Sequence, residues 1–147
     1  MPKKHTYPFV TFVDEAGNNV RPPSTYLPLR VTNPHSGRSA MVYALIDTGA
    51  DQCAFPESLA VALGHDFHGE GVHSEHTIGV SGTTDVFLHT FDIEILTADR
   101  SAVFASFKDV LVSCVPTDIP ALLGVADCLA QFVLTIDYPA MEIVLKY

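Results

Sequence analysis

The chain of 147 residues is long enough to form one domain with a hydrophobic core. Apolar residues make up 48% of it, which excludes intrinsic disorder. A net charge of −9 repels a phosphate backbone, so we expect no nucleic-acid partner. No stretch approaches the ~20 apolar residues that span a bilayer, and none has the apolar run of a signal peptide. We therefore expect a cytoplasmic protein that does not bind membranes.

The first half of the chain alternates short strands with turns. β-branched and aromatic residues predict strands at 7–13 and 26–32, with a turn at 14–19 between them. A loop at 33–37 leads to residues 41–46, which are almost all apolar and are typical of a strand buried on both faces.

The middle of the chain begins with a short helix. Residues 56–64 start with proline and end with glycine, which is the punctuation of a helix, and 64–75 read as a loop. Two strands are predicted within 77–95, around the glycine-flanked segment 79–82. In the second of them, apolar residues alternate with acidic ones. The apolar set is Phe91, Ile93 and Ile95, and the acidic set is Asp92 and Glu94.

The last part of the chain continues the pattern of strands. We predict one or two strands in 102–115, a strand at 119–124 and a short helix at 125–132. A closing hairpin joins 132–136 to 141–147. The whole chain is predicted to be one all-β domain with one or two short helices.

The tripeptide Asp47-Thr48-Gly49 follows a predicted buried strand directly. A strand fixes the position of the carboxylate, Gly49 allows close backbone approach, and Thr48 offers a hydroxyl that can lock the turn. Turns of the form Asp-x-Gly are common, however, and most of them are purely structural. The tripeptide alone therefore favours a structural turn over a catalytic site.

Three motifs in order resemble the retropepsin family of aspartic proteases. Residues 44–51 read ALIDTGAD, like the family's active-site loop, and residues 78–82 read IGVSG, like its glycine-rich flap. Residues 121–124 read ALLG, like the segment that packs beneath the catalytic loop. The resemblance extends from about residue 26 to the end and implies a closed all-β barrel. Residues 1–23 remain an N-terminal extension of unassigned role.

The number of motifs determines what one chain can do. An aspartic peptidase needs two carboxylates about 3 Å apart that share one proton. The sequence contains a single Asp-Thr-Gly, so the resemblance implies a homodimeric endopeptidase in which Asp47 meets its own copy. Such an enzyme hydrolyses peptide or protein substrates with an activated water and needs no cofactor.

The resemblance also assigns roles to individual residues. Thr48 matches a threonine that bonds across the dimer axis, and Gly49 and Asp51 match residues that bind the substrate backbone. Ala50 follows the glycine, as in retroviral enzymes. The flap residues expected to bind substrate are Ile78, Gly79, Val80, Ser81 and Gly82.

One position departs from the family pattern. Retroviral enzymes carry an arginine after the apolar-apolar-Gly segment, and it pairs with the aspartate that matches Asp51. Here Val125 occupies that position. Asp51 is therefore expected either to be solvated or to find another partner, among them Arg30, Arg38 and Arg100.

Two rival functions compete with the peptidase. The first is a catalytically idle dimerisation or peptide-binding module that uses the same cleft. The second is a metal-binding β domain, suggested only by the histidines His65, His68, His73 and His76. No helix presents them at ligand spacing, so we expect a solvated loop and no metal.

The cysteines Cys53, Cys114 and Cys128 are odd in number and match neither a CxxC pair nor a zinc finger. We interpret all three as reduced thiols with a structural role, which suits a cytoplasmic protein.

Overall fold

The computed structural model describes residues 3–69, 72, 74–79 and 82–147. These residues form ten strands and very little helix. The strands are β1 (Lys4–Pro8), β2 (Tyr26–Thr32), β3 (Ser39–Ile46), β4 (Ala54–Pro56), β5 (Ser74–Gly79), β6 (Gly82–Leu96), β7 (Val103–Val115), β8 (Ala121–Leu123), β9 (Val133–Asp137) and β10 (Glu142–Lys146). The helical elements are α1 (Glu57–Ala62) and a 3-10 turn (Leu129–Gln131). The expected all-β class is confirmed.

Six strands close into a barrel. Their order is β2-β3-β8-β4-β7-β6, and β6 pairs again with β2, so no strand of the ring is left as an edge. The pairs β3–β8 and β4–β7 are parallel, whereas the other neighbours in the ring run antiparallel. Strand β5 lies outside the ring and pairs with β6 as a hairpin.

The core fills the inside of this barrel, and β6 alternates as predicted. Strands β2 and β6 contribute side chains with no exposed surface: Leu27, Leu29, Phe91, Ile93 and Ile95. Between them, Arg30 and Glu94 point outward and form an ion pair at 2.7 Å. Period-2 alternation thus separates a buried face from a solvated one.

Strand β3 corrects the prediction of a strand buried on both faces. Met41 is 43% exposed, whereas Ala44 and Ile46 are buried. The strand is part of the barrel wall, so only one of its faces meets the core. Burial increases toward Ile46, where the strand enters the loop that carries Asp47.

The N-terminal extension forms part of the fold. Strand β1 begins at Lys4 and ends at Pro8, earlier than the predicted strand at 7–13, because its partner is the distant strand β10. Tyr7 is buried in the core and its hydroxyl donates to the carbonyl of Leu96 at 2.6 Å. The turn at 14–19 is confirmed, with the Gly17 amide donating to the Asp14 carbonyl.

The segment 125–132 is not the predicted helix. The amides of Leu129 and Ala130 donate to carbonyls five residues earlier, and only a 3-10 turn follows. Hydrophobic spacing alone could not separate this tight turn from a regular helix. The closing hairpin β9–β10 agrees with the prediction.

Helix α1 agrees with its sequence punctuation. Pro56 precedes its first residue, and Gly64 adopts a φ of 90° just after its end. The amide of Gly64 donates to the carbonyl of Val61 and so satisfies the last turn. None of the helices among the described residues has the length and apolar character to cross a membrane.

Candidate active site

Asp47 lies where β3 leaves the barrel wall. The amide of Ile46 donates to the carbonyl of Thr25 at 2.9 Å, and the amide of Asp47 donates to the carbonyl of Leu123 at 3.1 Å. The end of β3 is therefore held from both sides, by the chain before β2 and by β8. This rigid strand end fixes the backbone from which the carboxylate projects.

A tight turn follows Asp47. Its Oδ1 accepts the amide of Gly49 at 3.0 Å, and its carbonyl accepts the amide of Ala50 at 3.2 Å. Asp47 is half-buried, while Thr48 and Gly49 are exposed. The carboxylate is thus oriented by the backbone of its own loop and stays open to a ligand or to a second chain.

The active-site loop, residues 47–51, is tied to the chain that follows β8. The carbonyl of Ala50 accepts the amide of Val125, and the carbonyl of Asp51 accepts the amide of Ala126, both at 2.8 Å. Strands β3 and β8 are parallel and in register up to Ile46 and Leu123. The segment 121–124 therefore lies against the loop, as the resemblance implied.

Gly124 makes this close approach possible. A Cβ at this position would lie 2.3 Å from the carbonyl carbon and 2.4 Å from the carbonyl oxygen of Gln52. It would also lie 2.8 Å from the amide of Cys53. Because these are backbone atoms, no rotation of a side chain can relieve the overlap.

Asp51 is exposed and so matches the solvated alternative. Arg30, one of its suggested partners, pairs with Glu94 instead. Among the described residues, no ion pair joins Asp51 to Arg38 or Arg100 either. The Asp51 backbone is nevertheless fixed, through its carbonyl.

Asp127 is a site residue that sequence reasoning missed. Its Oδ2 accepts the amide of Cys53 at 2.8 Å and so anchors the chain just after the active-site loop. In place of the arginine that the resemblance implied, a carboxylate fixes this junction through a backbone amide. The two residues are 74 positions apart, and no local pattern marks their contact.

The predicted flap residues fall partly within the described chain. Ile78 and Gly79 end β5, Gly82 begins β6, and Gly79 pairs with Gly82 in the hairpin. Val80 and Ser81 lie outside the described residues. The hairpin itself, predicted from the sequence, is present.

The histidine-rich segment packs on the barrel more closely than a solvated loop. Nε2 of His65 lies 2.9 Å from the carbonyl of Thr90, and Nε2 of His89 lies 3.2 Å from the carbonyl of Phe67. Burial lowers the pKa of both imidazoles, while the hydrogen bonds to backbone carbonyls oppose this effect. In the part of the chain that the structure describes, no three His, Cys, Asp or Glu side chains form a metal-binding group. His73 lies outside that part.

No protein-family model matches the chain, and no curated protein matches its sequence. Solved structures do match its fold. A retropepsin-like aspartic protease from Rickettsia conorii aligns with a TM-score of 0.62 at 19% sequence identity, covering 100% of this chain and 93% of that one. At this identity the likeness establishes the fold alone. The chain is an all-β protein with a retropepsin-like closed barrel.

Proposed function

We propose that the chain is a homodimeric aspartic endopeptidase in which Asp47 of each copy supplies half of the catalytic dyad. The observation that carries the proposal is the active-site loop itself. Its carboxylate is oriented by the Gly49 amide, half-exposed, and mounted on a strand end held by Thr25 and Leu123.

The chemistry requires a second carboxylate. Within the described residues, the Asp47 side chain is hydrogen-bonded to a backbone amide and to no other carboxyl group. A second copy related by twofold symmetry would bring an identical Asp47 to the axis. Thr48 is exposed beside it and, as the resemblance implies, would bond across that axis.

The proposed reaction uses a water molecule as the nucleophile. Of two carboxyl groups sharing one proton, the ionised one removes a proton from water as it attacks the scissile carbonyl carbon. The protonated one donates to the carbonyl oxygen, and the proton gained from water is then delivered to the leaving nitrogen. No cofactor takes part.

Substrate is proposed to lie between the loop and the flap. Gly49 and Asp51 would hydrogen-bond the peptide backbone from one side, and the flap residues 78–82 from the other. The hairpin β5–β6 extends beyond the ring of the barrel, which suits an element that opens and closes. Three unpaired, buried cysteines favour a reducing compartment, and we place the enzyme in the cytoplasm.

The direct test is peptide-library cleavage by the wild type beside Asp47→Asn. The amide keeps the shape of the side chain but cannot act as a base, so cleavage should fall to background while the fold is retained. Asp109→Asn is the matched control and should retain activity. The side chain of Asp109 is exposed, and its backbone amide donates to Oδ1 of Asp92. Asp92 pairs with Thr32, at the end of β2 remote from Asp47.

The outcomes separate the peptidase from the catalytically idle binding module. Undiminished cleavage by pure Asp47→Asn protein would falsify the mechanism. Peptide binding with no cleavage by the wild type would identify an idle binding module instead.

A further inference from the structure

Two thiols meet directly behind the active-site loop. The Sγ atoms of Cys53 and Cys128 lie 3.6 Å apart, although the residues are 75 positions apart in the sequence. Both side chains are fully buried. Cys53 lies two residues after the active-site loop, and Cys128 lies four residues beyond Gly124, so the contact joins the two segments that build the site.

The surroundings of Cys53 favour its ionised form. The amide of Gly124 donates to the Cys53 sulfur at 3.4 Å, and an S–H hydrogen bond of 3.6 Å joins the sulfurs of Cys53 and Cys128. The hydrogen bond with Cys128 lowers the pKa of Cys53, while burial and Asp127 oppose that effect. The same bond raises the pKa of Cys128, because its proton is held between the sulfurs, and burial adds to this. Cys53 is therefore the nucleophilic member of the pair.

The third cysteine provides an internal contrast. Cys114 is also buried, but its Sγ lies 3.8 Å from the carbonyl of Val112, and among the described residues no hydrogen bond joins it to another sulfur. Burial raises the pKa of Cys114 to about 12. It is a thiol of the inert, structural kind.

We propose that Cys53 and Cys128 form a redox-modification site that closes to a disulfide when the protein meets a peroxide. A disulfide bond is about 2.05 Å long, so the two sulfurs need to approach by about 1.5 Å. Disulfides in cytosolic proteins are usually transient and redox-sensing, which is the role the pair would serve.

One molecule of hydrogen peroxide oxidises the two thiols of one Cys53–Cys128 pair. The Cys53 thiolate attacks a peroxide oxygen, the O–O bond breaks, and one water leaves after protonation, which gives a sulfenic acid. The Cys128 sulfur then attacks the Cys53 sulfur, the S–O bond breaks, and a second water leaves with the Cys128 proton. Two thiols lose two electrons in total, and hydrogen peroxide takes them up.

The disulfide would join two segments that hydrogen bonds already connect. The hydrogen bonds from Val125 to Ala50 and from Ala126 to Asp51 join the same two segments. A covalent link between them closes a long chain loop and so lowers the entropy of the unfolded state. Oxidation is expected to be slow, because peroxide reaches buried sulfur only through local opening.

The experiment treats the reduced full-length chain with hydrogen peroxide and counts its free thiols after denaturation. The expected count falls from three to one, and the remaining thiol is Cys114. Non-reducing peptide mapping should show Cys53 linked to Cys128. The melting temperature should rise by roughly 5–10 °C, as expected for closure of a loop of this length. None of these measurements needs peptidase activity, so they stand apart from the proposed function.

Two variants complete the design. Cys114→Ser should still lose two thiols, whereas Cys128→Ala should form no intramolecular disulfide. Three free thiols in the treated, folded wild type would overturn the proposal, as would sulfinic acid at Cys53 without a link to Cys128. The peptide map of the wild type is decisive by itself if Cys128→Ala does not fold.

Discussion

Gly124 and Gly49 both lie at the active-site loop, but the structure gives them different reasons to be glycine. A Cβ on Gly124 would overlap the backbone of Gln52 at 2.3 Å. A Cβ on Gly49 would lie 3.4 Å from Oδ1 of Asp47, which is an ordinary contact. The chain itself therefore requires glycine at 124, whereas at 49 we propose that the requirement comes from the substrate.

These two positions form a matched pair of variants. Gly124→Ala should lower the free energy of unfolding by about 3 kcal/mol or more, because backbone must shift to relieve the overlap. Gly49→Ala should change it by less than about 1 kcal/mol and yet reduce peptide cleavage. Urea denaturation and a cleavage assay on the same preparations make the comparison. Equal losses of stability in the two variants would contradict this assignment.

At the residue scale, the sequence predicts what a local motif encodes. Asp47 and its turn follow from three consecutive residues after a strand. The anchors of that turn do not, because Asp127 reaches Cys53 across 74 positions and Thr25 reaches Ile46 across the β2–β3 pair. A carboxylate that bonds a backbone amide leaves no mark in the sequence around either partner.

The loop after α1 is the element whose stability should depend on pH. Residues 64–69 pack on β6 through His65 and His89, whose ring centroids lie 4.7 Å apart. Burial lowers the pKa of both rings, and Asp66 opposes this at His89 while His68 adds to it. His35 acts on His65 in the same direction as burial.

The lowered pKa of His89 determines how the stability of the protein changes with pH. In the unfolded chain, His89 binds a proton at about pH 6.5. In the folded chain its pKa is lower, so acidification protonates the unfolded chain first and favours unfolding. The stabilisation is complete above about pH 6.5 and is lost as the pH falls toward the folded-state value. His89→Gln keeps a donor for the Phe67 carbonyl and removes the titration.

Denaturation curves between about pH 7 and pH 5 should therefore show a weaker pH dependence for His89→Gln than for the wild type. His68→Gln, at an exposed position of the same loop, is the control and should change the dependence less. An identical pH dependence in the wild type and His89→Gln would show that this buried ring does not couple to folding.

The hairpin β5–β6, the proposed flap, can be tested by a substitution at Gly79. Gly79 pairs with Gly82 at the end of the described part of the hairpin. Gly79→Val should stiffen and crowd the proposed flap, and so lower kcat without lowering the melting temperature of the barrel. Wild-type kinetics in this variant would identify an ordinary surface turn.

At the element scale, strands with a local signature in the sequence agree with the structure. Strand β2 has the bounds that its β-branched and aromatic residues predict, and the apolar face of β6 is the buried one. The predictions that differ from the structure concern segments whose conformation depends on contacts outside the local pattern. Strand β1 is placed by β10 at the other end of the chain, and the turns at 125–132 are shaped by carbonyls of Gly124 and Val125.

At the scale of the whole molecule, the barrel could be predicted through the family resemblance but not from local patterns. Its closure depends on β2 meeting β6, which are more than 60 residues apart, with Leu29 opposite Ile95. The proposed assembly of two chains is a step further still, because it depends on surfaces that no local pattern identifies. Since one chain offers a single Asp47, the proposed dimer is the central claim.

Mixing wild-type chains with Asp47→Asn chains tests this claim most directly. Total chain concentration is held constant and high enough for dimers, and the two forms exchange freely before cleavage is measured. In an equal mixture only about a quarter of the dimers carry two intact Asp47 residues, so we predict about a quarter of the wild-type activity. About half of the wild-type activity would mean that each chain works alone, and it would contradict a catalytic site shared between two copies.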